Sequence, residues 1–311
     1  MKRLKWLSVV ILLIAIGIFI DYNRKVIINR DTLGPVIEME EERIFVSVSD
    51  KEDMLLKGIR ATDSKDGDVT DTLVVESMSD FVDGATRYVN YAAFDKDNHV
   101  SKISRKLTYT DYVPIQFSLD APMRFPAGNT NQDILNNIHA MDCLDGDVSD
   151  RVNFTQESSI NLANTSDYSV QLQVTNSAGD TAILPVTVTI YDPAKENTSP
   201  KIELTDYLIY IKKGKRLDPL KYLDSVSYRG TVYGFTEERG TFCVDTADMT
   251  SEERSSFEQE QKQDPTVSYD RIRVLDKTDL RTPGVYEIQY MLDDDDSNRG
   301  MVNLVVVVEE E

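Results

Sequence analysis

The sequence predicts an all-β protein, a tandem array of small β-sandwich modules behind one N-terminal apolar helix. Three observations carry that expectation. Residues 61–71 read A-T-D-S-K-D-G-D-V-T-D and residues 140–150 read A-M-D-C-L-D-G-D-V-S-D, so one eleven-residue phrase returns after 79 positions. Stretches near the end of each repeat alternate apolar and polar side chains. Residues 6–20 form an uncharged run behind Lys2, Arg3 and Lys5. A spacing near 80 exceeds that of a solenoid unit, which needs its neighbours to complete a core. It suits self-contained two-sheet modules.

The chain opens with the apolar helix. Residues 4–22 would extend roughly 28 Å at 1.5 Å per residue, just enough to cross a hydrocarbon core with Lys5 snorkelling to the interface. The alternative is a cleaved signal peptide. The small-x-small pair Ala15-Ile16-Gly17 lies inside the apolar run, and no lipidation cysteine follows it. Residues 1–33 therefore read as a cytoplasmic tip, a retained transmembrane signal anchor and a spacer. The leading basic residues place the N-terminus inside and the bulk extracellular, a bias that Arg24 and Lys25 reduce. Both readings export the rest of the chain, which is secreted outright if the signal is cleaved.

Three module starts share a proline at the head of a short strand: Gly34-Pro35-Val36-Ile37, Val113-Pro114-Ile115-Gln116 and Ser199-Pro200-Lys201-Ile202. There the missing N–H does least harm. Modules are accordingly placed at 34–112, 113–193 and 199–311. Their last strands are 106–110, 186–191 and 301–308. In the strand before the last, Tyr168, Val170, Leu172 and Val174 share one face, against Ser169, Gln171, Gln173 and Thr175. Tyr286, Ile288, Tyr290 and Leu292 repeat the pattern, and Tyr88 opens the matching stretch 88–94. Period two with one apolar face marks a half-buried antiparallel strand. The turns that follow carry Asn, Asp or Gly; the tetra-Asp run 293–296 reads as a solvated hairpin tip. Glycines set just ahead of Tyr88 and Tyr286 suggest tyrosine corners, in which the phenol bonds back to nearby backbone in immunoglobulin-type sandwiches. The disulfide positions of such domains fall on Asn90, Val170 and Ile288, leaving the cores to hydrophobic packing.

Module three lacks the acidic phrase and carries an insertion of roughly forty residues, 228–269, beyond ordinary loop length. Thr250-Ser251-Glu252-Glu253 is a capping box and predicts a short surface helix ended by Asp264-Pro265. Tyr228, Tyr233, Phe235 and Phe242 cluster in this segment. They either pack it onto its own sandwich, the preferred reading, or form a platform for glycan or protein.

Residues 1–30 hold six basic residues and one acid, which leaves 28 basic and 53 acidic residues beyond them, a net of −25. Such acidity repels nucleic acid and anionic head groups. Cys143 and Cys243 occupy non-equivalent places, so they form no repeating disulfide framework. His99 and His139 are the only histidines, and neither has a partner at metal-ligand spacing. No G-x-S-x-G, phosphate loop or Cys–His pairing is visible. The reading is not an enzyme.

The acidic phrase is the best candidate site. Asp63, Asp66, Asp68 and Asp71, and again Asp142, Asp145, Asp147 and Asp150, offer oxygens of the kind Ca²⁺ takes in sixes to eights. Their spacing is not that of an EF-hand. The preferred reading makes them turn builders that accept backbone N–H bonds, with Gly67 and Gly146 at positive φ. Calcium between modules, at Asp111 and Asp192, is a weaker variant.

The phrase D-x-x-D-G-D-V-[TS], then G-x-Y-x-V-x-Y, an Asp or Asn turn and a closing V-x-V strand resembles bacterial Ig-like modules. The resemblance is to those named after the Ig-like domain of pesticidal crystal proteins, found in tandem on Gram-positive surface and secreted proteins. It covers residues 34–311 and rests on Asp63, Asp66, Gly67, Asp68 and Val69, and on Asp142, Asp145, Gly146, Asp147 and Val148. Module three resembles a variant without the D-G-D core. The resemblance implies tandem Ig-like sandwiches with a surface or adhesion role and brings no catalytic residues; fold alone does not set function. The expectation is a membrane-anchored, non-enzymatic surface protein whose Ig-like stalk holds the distal module out to bind an unknown extracellular protein or glycan. The alternatives are a scaffold subunit of a cell-envelope assembly and a calcium-binding adhesion module. Neither nucleic acid nor an obligatory cofactor is expected.

Overall fold

The computed structural model describes residues 2–28, 32–156, 159–196, 198–228, 231–236, 241–244, 250–252, 255, 266–268, 271–293 and 298–310. It falls into two units, Met1–Tyr112 and Val113–Glu311. The first opens with helix Lys2–Ile28. No proline interrupts it. The stretch Trp6–Lys25 is long and apolar enough to cross a membrane, with a mean hydropathy of 2.0, and the described residues bury none of it.

The remainder is built from immunoglobulin-like β-sandwiches of one recurrent topology. In the first, Val36–Met39 pairs antiparallel with Ile59–Asp63 in one sheet. The chain then crosses over, and Arg43–Val46 runs parallel to Val100–Tyr109 in the other. The second repeats this with Gln116–Leu119 against Ile138–Asp142 and Arg124–Pro126 parallel to Thr181–Tyr191. The third uses Lys201–Leu204 against Leu223–Tyr228 and Leu208–Lys212 parallel to Arg299–Glu309. Each second sheet is completed by a long antiparallel hairpin: Thr86–Phe94 with Val100–Tyr109, Ser166–Thr175 with Thr181–Tyr191, and Gly284–Asp293 with Arg299–Glu309.

Alternation decides which side of these strands is buried. Val170, Leu172 and Val174 point inward, as do Ile288, Tyr290 and Leu292, and all six are buried. Burial of each such side chain contributes about 1.5–3 kcal/mol. The buried phenols of Tyr91 and Tyr290 reach matching carbonyls, of Leu55 and Pro219, each at 2.7 Å, because a buried hydroxyl needs a partner. The corner expected at Tyr286 is present, with its hydroxyl 2.9 Å from the Thr282 carbonyl. Tyr88 makes none. It stands one position out of register with Tyr286, so it faces outward, where Lys106 Nζ lies 5.8 Å from its ring centre; a one-residue slip turns a strand side chain to the opposite face. The equivalent inward place is held by Arg87. Tyr168, by contrast, does reach back to Asn164, at 3.4 Å.

The insertion of the third sandwich is sheet as much as loop. Thr231–Thr236, Thr241–Val244 and Thr266–Ser268 extend the first sheet to five strands, which suits their Thr, Val and aromatic content. Tyr233 and Phe235 pack against the hydrophobic core. Ser251, Glu252 and Ser255 are helical, as the capping box predicts. The other residues of the expected helix, the side chains of Tyr228 and Phe242, and residues 294–297 at the expected hairpin tip lie outside the described residues.

The second and third sandwiches share one hydrophobic core cluster from Ile115 to Val308. Glu287 joins them, accepting the Thr187 N–H and hydroxyl, both at 2.6 Å. At the start of the third sandwich, backbone meets backbone. A Cβ on Gly300 would lie 2.1 Å from the Pro200 carbonyl oxygen. Gly300→Ala is therefore expected to destabilise a 32–311 fragment by about 2 kcal/mol or more in urea unfolding. Gly234→Ala, whose Cβ meets open space, should shift stability by less than about 1 kcal/mol.

Candidate functional site

The two acidic phrases fold alike. Each begins at the end of a strand, where Asp63 and Asp142 are 6% and 4% exposed. Asp63 Oδ1 accepts the N–H groups of Lys65 and Asp66, both at 2.8 Å. Asp142 Oδ1 accepts those of Leu144 and Asp145, at 2.9 and 2.8 Å. Gly67 and Gly146 follow at φ +78° and +76°, a backbone state in which a Cβ is strained. The third acid closes the turn: Asp68 Oδ1 accepts the Thr70 N–H and Asp147 Oδ1 that of Ser149, both at 3.0 Å. The hydroxyls of Thr70 and Ser149 in turn accept the N–H groups of Ala61 and Ala140 on the preceding strand.

The middle acid reaches across the sandwich to the tip of the long hairpin. Asp66 Oδ2 accepts the Lys96 N–H at 2.8 Å. Asp145 accepts the Ser177 N–H at 2.8 Å and its hydroxyl at 2.6 Å, and pairs with Arg151. Sequence reasoning missed the hairpin residue that completes this clamp. Asn176 is buried, donates Nδ2 to Asp142 Oδ2 at 3.0 Å, and accepts the Ala178 and Asp180 N–H groups at 2.9 Å. In the first sandwich that place is taken by Asp95, also buried. Its carboxylate accepts the His99 N–H at 2.8 Å and meets His99 Nδ1 at 2.6 Å. The signal lay in the equal length of the two hairpin turns, 95–99 and 176–180.

These bonds favour the ionised acids. The Thr70 hydroxyl and N–H hold Asp68 below the usual carboxylate range, and Ser149 does the same for Asp147. Ser177 lowers Asp145, with help from Arg151 against partial burial. Burial opposes ionisation of Asp95, but the bonds from His99 outweigh it and the pKa is lowered. The six sequence-predicted ligands, Asp63, Asp66, Asp68, Asp142, Asp145 and Asp147, are thus spread along turns that each stitches to backbone. Among the described residues no group of three or more His, Cys, Asp or Glu side chains is placed to hold a metal ion. His139 Nε2 meets Asp120 Oδ2 at 2.6 Å on the surface, and Cys143 is exposed with its Sγ 3.2 Å from the Val113 carbonyl.

A different feature offers room for a ligand. Between the second and third sandwiches lies a groove of about 500 Å³, lined by Ile115, Phe117, Ile183, Tyr210, Val285 and Val307, with Lys212 and Glu309 alongside. Its walls are the edge strands Gln116–Leu119 and Leu208–Lys212. The Tyr210 hydroxyl spans them, accepting the Phe117 N–H at 2.6 Å. Burial raises the Tyr210 phenol above its ordinary range, so it is neutral at physiological pH.

No protein-family model and no curated protein matches the chain. Among solved structures it is similar to the CBM51-2 and INT domains of ZmpB from Clostridium perfringens in complex with GlcNAc. That likeness has 22% identity, 48% of this chain, 26% of that one and a TM-score of 0.21. It is also similar to the lipoprotein BT2262 from Bacteroides thetaiotaomicron, at 14% identity, 61% and 98% coverage and a TM-score of 0.21. The protocadherin GammaB4 extracellular domain aligns at 12% identity over 88% of this chain and 49% of its own, with a TM-score of 0.18. Likeness at this level assigns neither ligand nor activity.

Two outcomes follow from the clamp. Asp142→Ala strands three donors, the N–H groups of Leu144 and Asp145 and the Asn176 amide, and should cost about 3 kcal/mol or more at about 1–3 kcal/mol per group. Asp150→Ala, at an exposed position, should stay within about 0.5 kcal/mol. Folded-state lowering of Asp68, Asp95, Asp145 and Asp147 from 3.8 means that their contribution is complete above that value. It is lost as pH falls through the folded values. Urea midpoints should therefore drop below about pH 4, and Asp68 and Asp145 should cause no change between pH 5 and 8.

Proposed function

We propose that the chain is a non-enzymatic, membrane-anchored protein of the bacterial cell surface. In this reading its Ig-like sandwiches, of the pesticidal-crystal-protein type, bind an extracellular protein or glycan. The observation that carries this is the stretch Trp6–Lys25 of the helix Lys2–Ile28, apolar over a membrane-spanning length and buried by none of the described residues. Ig-like β-sandwiches follow it in the chain. An anchor joined to such modules presents the surfaces of the later ones away from the bilayer. The groove between the second and third sandwiches is the place we assign to the ligand: apolar walls give contact area, and Tyr210, Lys212 and Glu309 give direction. The aspartate turns act in this reading as fold elements. Calcium at Asp63, Asp66, Asp68, Asp142, Asp145 and Asp147 is the competing proposal, and a melting temperature raised by Ca²⁺ and lowered by a chelator would support it.

Fractionation tests the anchor. The full chain should stay in the membrane pellet through alkaline carbonate extraction, with its N-terminal residues intact, while a 32–311 fragment is soluble. A mature N-terminus beyond the apolar run would replace the anchor with a cleaved signal. For the ligand, the 32–311 fragment and its Tyr210→Ala variant are compared on a glycan array and against envelope proteins. Binding that the substitution weakens by about tenfold or more places the ligand in the groove; equal binding removes it from there.

A further inference from the structure

The outer face of the second sheet in the first sandwich is unlike its counterpart in the second sandwich. Strand pairing places Arg43, Lys106 and Tyr88 in one row across three adjacent strands. Phe45 stands on the same side as Arg43, 64% exposed, and Phe94 and Val100 pair at the far end of the hairpin, 38% and 47% exposed. Lys102 has a counter-ion in Glu76. Among the described residues no carboxylate lies within 4.0 Å of Arg43 or Lys106, whose one close contact of this kind is the Tyr88 ring at 5.8 Å.

The second sandwich shows that the fold does not require this. The hairpins match position for position through turns of equal length, so Tyr88 and Lys106 correspond to Ser169 and Thr187, and Phe94 and Val100 to Thr175 and Thr181. Hydroxyl side chains stand at these four positions instead of a cation and large apolar groups, and Arg124, which takes the place of Phe45, lies over the Tyr191 ring and is paired with Glu196. The cationic, aromatic face belongs to the sandwich that adjoins the apolar helix. Seven residues, 29–35, separate Ile28 from Val36, and at 3.3–3.6 Å each they reach about 25 Å at most.

The geometry points to this face as a docking surface for an anionic lipid bilayer. Arg43 and Lys106 pair with head-group phosphates, while Phe45, Tyr88 and Phe94 enter the interfacial layer. This rests on the membrane-anchor reading, which confines the first sandwich to the lipid surface. Charge complementarity is local here. The Debye length is about 8 Å at physiological salt, so acids on the far side of a sandwich are screened from the bilayer, and the face in contact decides. Each surface cation adds about 1 kcal/mol of attraction to an anionic membrane, and exposed aromatic groups favour the interface.

The test uses a 32–311 fragment, since the stretch Trp6–Lys25 buries nothing against the described residues. Co-sedimentation is measured at millimolar lipid on phosphatidylglycerol–phosphatidylcholine vesicles and on pure phosphatidylcholine. The expected result is partition onto the anionic vesicles only, lost at high salt. Partition should fall about tenfold or more in Arg43→Glu/Lys106→Glu and by a smaller factor in Phe45→Ser, with unfolding midpoints unchanged. Equal partition of the charge-reversal variant, or no preference for anionic lipid, overturns the proposal. So does capture by a soluble anionic polysaccharide or inorganic phosphate without vesicle binding. Because the fragment lacks the helix, its failure on vesicles is separable from failure of the full chain in carbonate extraction.

Discussion

A buried carboxylate must be fully bonded or it destabilises its surroundings, and the acidic turn of the second sandwich is organised around that constraint. Asp142 sits almost out of water and takes three donors from two separate segments. Each charge-assisted bond is worth about 1.5–3 kcal/mol, but their placement matters more than their sum. They fix the turn after one strand against the tip of a hairpin belonging to the other sheet. The glycine at positive φ then lets the chain return to its own strand. Asp63 begins the same device in the first sandwich, where the opposing residue is Asp95 held by His99 rather than an amide. The repeated phrase is thus the written form of a clamp between two sheets.

Local chemistry of this kind was legible in the sequence. Val170, Leu172 and Val174 announced their buried face by alternation, Gly67 and Gly146 their backbone state, and Asp68 and Asp147 their hydrogen bonds to the turn. What the sequence hid was pairing at a distance. Asn176 reads as an ordinary turn residue until Asp142 is placed beside it. Tyr88 stands one position away from the expected corner, because a tyrosine alone cannot set the register of a strand. The insertion was read as loop and helix, since its Thr, Val and aromatic runs reveal strands only once a sheet edge is available to receive them.

Union of the second and third sandwiches had a trace in the sequence that local reading passed over. Val305, Val306, Val307 and Val308 break the alternation of the last strand. An unbroken apolar run marks a strand covered on both faces. Val305 is indeed 2% exposed, and it lines the junction with Met123, Thr187 and Glu287. The groove between the two sandwiches exists because this junction fixes one against the other. Its shape is therefore a property of the pair and not of either sandwich.

The parallel strand in each sandwich also determines how the protein meets tension. A chain held at its N-terminal end and pulled from its C-terminal end loads every sandwich between its entering and leaving segments. Arg43–Val46 against Val100–Tyr109, and Leu208–Lys212 against Arg299–Glu309, lie side by side and point the same way. Pulling them apart slides one along the other, so the bonds between them share the strain and yield together instead of opening one by one like a zip. Sandwiches of this pattern resist stretching at the seam where the pull enters, which suits a body tethered at one end and loaded at the other.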